Sequence, residues 1–135
     1  MLRDHVEKFF IGQDYNCAES LFLAANEYYG LGMTAEDSKL ISAFGAGMGC
    51  GRTCGALAGA MSILGKIKIE GRAHATGNYG ELCAGLVSAF QEQLGSTDCE
   101  KIKPEYRRDD VRCLPAVQAA ADVLEKYLKE IEKGL

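Results

Sequence analysis

The sequence predicts an all-α fold, a compact single-domain helical bundle of about five to six helices over residues 1–135. Apolar residues recur at spacings of three and four along most of the chain, and strand-type alternation is nearly absent. Capping residues and glycines separate these periodic runs. A chain of 135 residues with 47% hydrophobic and 25% charged residues has the balance of a globular domain with one ordinary core.

The first two helices are separated by Gly12. The first carries an apolar stripe made of Leu2, Val6, Phe9 and Phe10. The second is predicted to start at Asn16, because Glu19 follows three residues later and the pair forms a capping box. It is predicted to end at Gly30. Cys17 is therefore expected in a first helical turn.

Two more helices flank a glycine-rich stretch at 45–52. Thr34 and Asp37 repeat the capping pattern ahead of a short helix, whose apolar residues are Leu40, Ile41 and Phe44. A fourth helix is predicted from about Thr53, with an apolar stripe made of Ala56, Leu57, Ala60, Ile63 and Leu64. Cys54 is thus expected at a helix start.

The second half of the chain predicts two long helices. One ends at Gly95 and carries Tyr79, Cys83, Leu86, Val87, Phe90 and Leu94. Residues 95–110 contain Pro104 and many charges, and are predicted to be a long connection that holds Cys99. Pro115 fits the first turn of the last helix, where its missing N–H costs little, so Cys113 is expected at that helix start.

The segment GAGMGCGRTCGALAG at 45–59 is neither a P-loop nor a dinucleotide fingerprint, because the required lysine, hydroxyl and glycine positions are not met. Gly51, Gly55 and Gly59 are spaced by four, which predicts a helix face almost without side chains. Such a face favours close helix packing, with a ligand surface as the alternative. The small residues at 51–60 could equally form a homodimer interface.

Composition limits the partners. The net charge is −4 and no cationic cluster is evident, so we expect no nucleic-acid partner. The N-terminal residues lack the pattern of a signal peptide, and the longest apolar run, 54–65, is too short to span a bilayer. We therefore expect a cytoplasmic protein without membrane insertion. In a reducing cytosol its six cysteines are not expected to form a permanent disulfide framework.

Three of the six cysteines, Cys17, Cys54 and Cys113, are predicted at helix starts. Unpaired N–H groups and the positive end of the helix dipole stabilise a thiolate there, so we expect lowered thiol pKa values. Arg52 and Arg112 would add to this effect if their side chains point at the sulfurs. The cysteine spacing does not fit a zinc knuckle, although a cluster assembled from separate helix ends remains open.

These residues carry a family resemblance. Cys17, the stretch CGALAG at 54–59, Cys99 in GSTDC and Cys113 ahead of an Ala-rich helix resemble the C-GCAxxG-C-C family. The similarity covers nearly the whole chain. It implies a small helical protein with redox activity, with Cys17, Cys54, Cys99 and Cys113 as the four family cysteines. Cys50 and Cys83 are additions in this chain.

The two additional cysteines are assigned separately. Cys83 lies mid-helix on an apolar stripe and is expected to be a core residue. Cys50 lies four residues before Cys54 and could resolve a disulfide formed there or supply another ligand.

Three functions follow. The first is thiol–disulfide exchange or electron transfer with a redox partner protein, using Cys17, Cys54, Cys99, Cys113 and Cys50. The second is binding of an iron–sulfur cluster or another metal by the same four family cysteines, with Gly55 and Gly59 leaving room for the cofactor. The third is a non-catalytic helical interaction module whose cysteines only pack.

Overall fold

The computed structural model describes residues 1–133, and within that range 71% of residues are helical and no strand occurs. This confirms the predicted class. Seven helices are counted in the same range, slightly more than predicted. They are one continuous N-terminal helical segment, which contains a 3₁₀-helix at Leu2–His5 and a π-helix at Lys8–Gly12, and six α-helices: α1 (Cys17–Tyr29), α2 (Lys39–Ser42), α3 (Gly55–Lys68), α4 (Tyr79–Leu94), α5 (Cys99–Tyr106) and α6 (Leu114–Glu132). Short helical turns at Gly47–Gly51 and Ala73–Ala75 are not included in this count.

The core lies between α1, α3 and α6. The helices α1 and α3 share the most extensive contact, and α6 packs against α3, α4 and the N-terminal segment. The predicted stripe of α3 is buried throughout; its members are Ala56, Leu57, Ala60, Ile63 and Leu64. The prediction for α2 is partly wrong. This helix has a single turn, so Ile41 reaches the core whereas Leu40 is 84% exposed.

The predicted helix ends are confirmed at several positions. Asn16 caps α1, with reciprocal hydrogen bonds to Glu19 that complete the capping box. Gly30 and Gly95 follow α1 and α4 in the left-handed conformation, with φ of 62° and 83°. Pro115 lies in the first turn of α6. No helix within residues 1–133 combines the length and the apolar composition needed to cross a bilayer.

The prediction that residues 95–110 form a long connection is wrong in part. Residues Cys99–Tyr106 form α5, which packs on α6 through the buried side chain of Ile102. Pro104 lies near the end of this short helix, so its missing N–H interrupts only the last turn. Cys99 is therefore the first residue of a helix rather than part of a loop.

The glycine-rich stretch before α3 is a tight loop. Gly47, Gly49 and Gly51 have positive φ, and so do the non-glycine residues Ala46 and Met48 at 53° and 60°. Gly51 therefore lies outside α3, and the predicted continuous face of Gly51, Gly55 and Gly59 is wrong at its first position.

A buried carboxylate holds the N-terminal segment on the core. Glu125 of α6 is 5% exposed, and its two oxygens accept hydrogen bonds from the Leu2 N–H at 3.0 Å and the Tyr28 hydroxyl at 2.8 Å. These bonds lower the pKa of Glu125 despite its burial, which acts to raise it. The contact fixes the segment that brings Phe10 to the site described next.

Candidate thiol site

Four cysteines line one cavity of about 210 Å³. Each comes from the start of a different helix: Cys17 and Cys99 are the first residues of α1 and α5, and Cys54 and Cys113 are the N-caps of α3 and α6. The sequence predicted the helix-start position for Cys17, Cys54 and Cys113. The structure adds Cys99, and it brings all four together although they are up to 96 residues apart in the sequence.

Backbone hydrogen bonds hold the segments of Cys54 and Cys99 side by side. The Cys54 N–H donates to the Thr97 carbonyl at 2.7 Å, and the Cys99 N–H donates to the Arg52 carbonyl at 2.6 Å. An isolated antiparallel bridge between Thr53 and Asp98 lies between these bonds. The relative position of the two helix starts is therefore fixed by main-chain contacts.

Two glycines make room for the cysteines. A Cβ atom on Gly55 would lie 2.5 Å from Cys17 Sγ and 2.9 Å from the Phe44 carbonyl oxygen. A Cβ on Gly47 would lie 2.7 Å from Cys99 Cβ. Any side chain at either position would displace a cysteine or the backbone beside it. Gly55 also lines the cavity, and its predicted place beside a cofactor or ligand stays a prediction.

Gly59, the other predicted ligand-side glycine, is not among the residues that line the cavity. A Cβ there would lie 2.7 Å from the Ala18 carbonyl oxygen, so this glycine permits close packing of α1 on α3. The small-residue face of α3 is thus used for a contact within the chain. Homodimer formation itself stays a prediction.

The prediction of lowered thiol pKa values is wrong for Cys54 and Cys113. Burial raises the pKa of Cys54 to about 12, with the neighbouring Cys17 as the second cause. The N–H groups of Ala56 and Leu57 lower it, but without a side-chain capping hydrogen bond this effect is smaller than that of burial. Burial also raises the pKa of Cys99 and Cys113. At Cys54 the helix-start effect is therefore present and is outweighed by desolvation.

Cys17 is the common neighbour of the other three thiols. Its negative charge as a thiolate contributes to the raised pKa of Cys54, Cys99 and Cys113. The cavity therefore disfavours several thiolates at the same time. Cys17 and Cys113 are partly exposed, whereas Cys54 and Cys99 are only 6% and 7% exposed. The cluster thus has accessible and inaccessible members.

Sequence reasoning missed a cationic rim. Lys103, Arg107 and Arg112 line the cavity, and the first two lower the pKa of Cys113 against the effect of burial. Arg112 was a predicted contributor; its guanidinium stacks over the Phe10 ring at 4.7 Å and donates to the Phe10 carbonyl at 2.9 Å. Arg52, the other predicted arginine, is not among the lining residues.

The two additional cysteines lie elsewhere. Cys50 is exposed on the glycine loop, with Sγ 3.6 Å from the Gly47 carbonyl oxygen, and does not line the cavity. Cys83 is half-buried on α4 and lies outside the hydrophobic cluster, so the predicted core position is wrong. Its stripe partners Leu86, Phe90 and Leu94 are buried.

Within 1–133 no group of three or more His, Cys, Asp or Glu side chains is arranged to hold a metal ion. The same range contains four free cysteines around one cavity. Metal binding by these four stays a prediction.

Fold and site together define an all-helical protein with a cluster of thiols at the helix starts. The chain matches the family described as "Putative redox-active protein (C_GCAxxG_C_C)" over residues 15–127, and it belongs to that family. The match includes all four clustered cysteines, which confirms the resemblance found in the sequence. No curated protein and no solved structure matches the chain.

Proposed function

We propose that the protein is a dithiol–disulfide redox protein in which Cys17 and Cys54 form a disulfide on oxidation. The observation that carries this proposal is the convergence of four cysteines from four helix starts on one cavity. The contact of Cys17 Sγ with Gly55, the residue next to Cys54, supports this choice of pair. Membership in a family described as redox-active agrees with it.

The reaction proceeds in two exchange steps. The Cys17 thiolate attacks one sulfur of an oxidant disulfide RS–SR, the S–S bond breaks, and one RS⁻ leaves and takes a proton. The Cys54 thiol then loses its proton to solvent and attacks Cys17 Sγ, which releases the second RS⁻. In total, two cysteine thiols lose two electrons and two protons, and the oxidant is reduced to two RSH.

Accessibility assigns the order of the two steps. Cys17 is partly exposed, whereas Cys54 is 6% exposed, so we expect an oxidant to reach Cys17 first. Once Cys17 is in the mixed disulfide it carries no charge, so one cause of the raised pKa of Cys54 disappears. Cys99 and Cys113 line the same cavity, and we expect them to exchange with the new disulfide.

Binding of an iron–sulfur cluster or another metal by Cys17, Cys54, Cys99 and Cys113 is the second candidate. One observation favours it: cationic side chains and four helix N-termini surround the thiols and would offset the negative charge of a thiolate-ligated centre. A redox partner protein, the cytoplasmic location and a purely structural role for the cysteines likewise stay predictions.

The test is a redox titration with disulfide mapping. Protein purified without oxygen is equilibrated in defined ratios of reduced and oxidised dithiothreitol, alkylated, digested and analysed by mass spectrometry. We expect a reversible transition that links Cys17 to Cys54. Cys17→Ser and Cys54→Ser should abolish that linkage, whereas the matched control Cys83→Ser should retain it.

Two results would overturn the proposal. One is six alkylated thiols at every ratio in the folded protein. The other is stoichiometric metal by elemental analysis, with visible absorption lost in Cys17→Ser, Cys54→Ser, Cys99→Ser and Cys113→Ser alike. The second result would establish the metal-binding candidate instead.

A further inference from the structure

The charge of the thiol cavity is opposite to that of the chain. The protein has a net charge of −4, yet Lys103, Arg107 and Arg112 line the cavity and no Asp or Glu of the described residues does. Lys103 lies in α5 and Arg107 directly follows that helix, whereas Arg112 immediately precedes Cys113. The fold therefore gathers positive charge beside the sulfurs.

These cations are available to a ligand. Lys103 has no ion-pair partner within residues 1–133, as the ion pairs of this range do not include it. Arg107 and Arg112 pair with Asp109 and Asp14 at 3.7 and 3.2 Å. Both carboxylates are largely solvent-exposed, so these pairs are weak and do not neutralise the rim.

The size of the cavity restricts what can enter. It measures about 210 Å³, and two of its four cysteines, Cys54 and Cys99, are 6% and 7% exposed. A space of this size favours a small disulfide over one held in a folded protein. The apolar walls, which include Phe10, Ile102 and Val117, suit a short hydrocarbon chain.

We propose that the oxidant is a small disulfide with carboxylate or other anionic groups, which Lys103 and Arg107 guide into the cavity so that Cys17 attacks its S–S bond. This inference rests on the dithiol function proposed above and names its substrate class. The steps and their electron balance are those already given, with R a short anionic chain. Clefts lined by charge of one sign raise association rates of the opposite charge by about 10 to 1,000-fold.

The experiment compares three aliphatic disulfides of similar size: the dianion 3,3′-dithiodipropionate, the neutral 2-hydroxyethyl disulfide and the dication cystamine. Oxidation of the reduced full-length protein is followed by alkylation and mass spectrometry at low ionic strength. The same three rates measured on the chain unfolded in urea correct for intrinsic reactivity. After this correction we expect the dianion to react about tenfold faster than the neutral compound, and the dication slowest.

Matched variants locate the effect. Lys103→Gln and Arg107→Gln should each reduce the preference for the dianion about threefold, because each removes one cation from the rim. Lys101→Gln and Arg108→Gln remove the same charges from neighbouring exposed positions that do not line the cavity, and should leave the preference unchanged. Added salt should reduce the preference in the wild-type protein.

The outcomes separate the two proposals. If neither the three small disulfides, nor oxidised dithiothreitol, nor a protein disulfide oxidises the folded protein, the dithiol function fails and this inference fails with it. If all three react in the same ratio as in the unfolded chain, or if Lys103→Gln and Lys101→Gln have equal effects, the dithiol function stands and the anionic substrate class is wrong. Oxidation by a protein disulfide with no reaction of the small compounds would also overturn the substrate class.

Discussion

Two glycine-rich segments of this chain differ in what surrounds them. In residues 45–59, Gly45, Gly47, Gly55 and Gly59 each lie so close to another part of the molecule that a Cβ atom would clash, and the contacts include two of the cavity cysteines. In residues 65–80, Gly65, Gly71, Gly77 and Gly80 have nothing within 4 Å of a Cβ position. The same residue type thus positions sulfur atoms in one segment and has no packing role in the other.

The two segments differ in how many helices meet around them. The first segment lies where α1, α3 and α5 begin, so glycine there lets backbone and thiols approach each other. The second segment covers the end of α3, the connection to α4 and the start of α4, and of its four glycines only Gly71, with φ of 72°, has a positive φ. Glycine density in a sequence is therefore informative only with the contacts that each glycine makes.

The largest expected effect concerns the thiol that the first segment buries. Because the pKa of Cys54 is raised to about 12, mainly by burial, its thiolate fraction rises tenfold for each pH unit below that value. Burial, the larger cause, remains in the mixed disulfide after the Cys17 charge is lost, so closure of the Cys17–Cys54 disulfide should keep accelerating from pH 7 to beyond pH 9. Rapid-quench alkylation with mass spectrometry measures this rate.

The unfolded chain is the control for this pH dependence, since it lacks the packing that buries Cys54. An ordinary thiol has a pKa of about 8.5, so closure in urea should level off near pH 9. A folded protein that levels off at the same pH would show that burial at this segment does not control the reactive thiol. The contrast between the two glycine segments would then have no chemical consequence.

The next effect is on stability. Gly59→Ala places a Cβ 2.7 Å from the Ala18 carbonyl oxygen and 3.3 Å from Leu21 Cβ, and a backbone atom cannot rotate away. We expect the free energy of unfolding to fall by about 2–3 kcal/mol, as for other overpacked cores. Urea unfolding followed by far-ultraviolet circular dichroism measures the change. A loss below about 0.5 kcal/mol would mean that α1 and α3 separate easily.

Much of the fold and of the candidate site could be predicted from the sequence. The rest depends on contacts between residues that are far apart in the chain. Spacing and capping rules located Asn16 and the cysteines at 17, 54 and 113, because these signals are local. The helix α5 was missed because Pro104 and its charges obscure a weak pattern. The raised pKa of Cys54 and the place of Lys103 beside the cavity follow from burial and from contacts between distant parts of the chain, which no short segment encodes.

A smaller effect compares two asparagine caps. Asn16 accepts from the Glu19 N–H at 3.0 Å and donates to the Ser42 carbonyl at 2.8 Å, at the helix start that presents Cys17. Asn78, the N-cap of α4, makes no side-chain capping bond. Asn16→Ala should lower the free energy of unfolding by about 1–2 kcal/mol, and Asn78→Ala by less than about 0.5 kcal/mol. Equal losses in the two unfolding curves would contradict the contrast.

The smallest effect has the opposite sign. Gly65 lies in α3, six residues after Gly59, and a Cβ at this position would meet nothing within 4 Å. Its φ is not positive, so alanine fits the helical backbone and also restricts the unfolded chain. Gly65→Ala should therefore raise the free energy of unfolding by about 0.5–1 kcal/mol, measured in the same urea experiment. Gly59→Ala and Gly65→Ala make the same substitution in one helix, so changes of opposite sign in the free energy of unfolding would identify the surrounding contacts as the cause. Destabilisation by both would instead indicate that α3 requires glycine for a reason other than close packing.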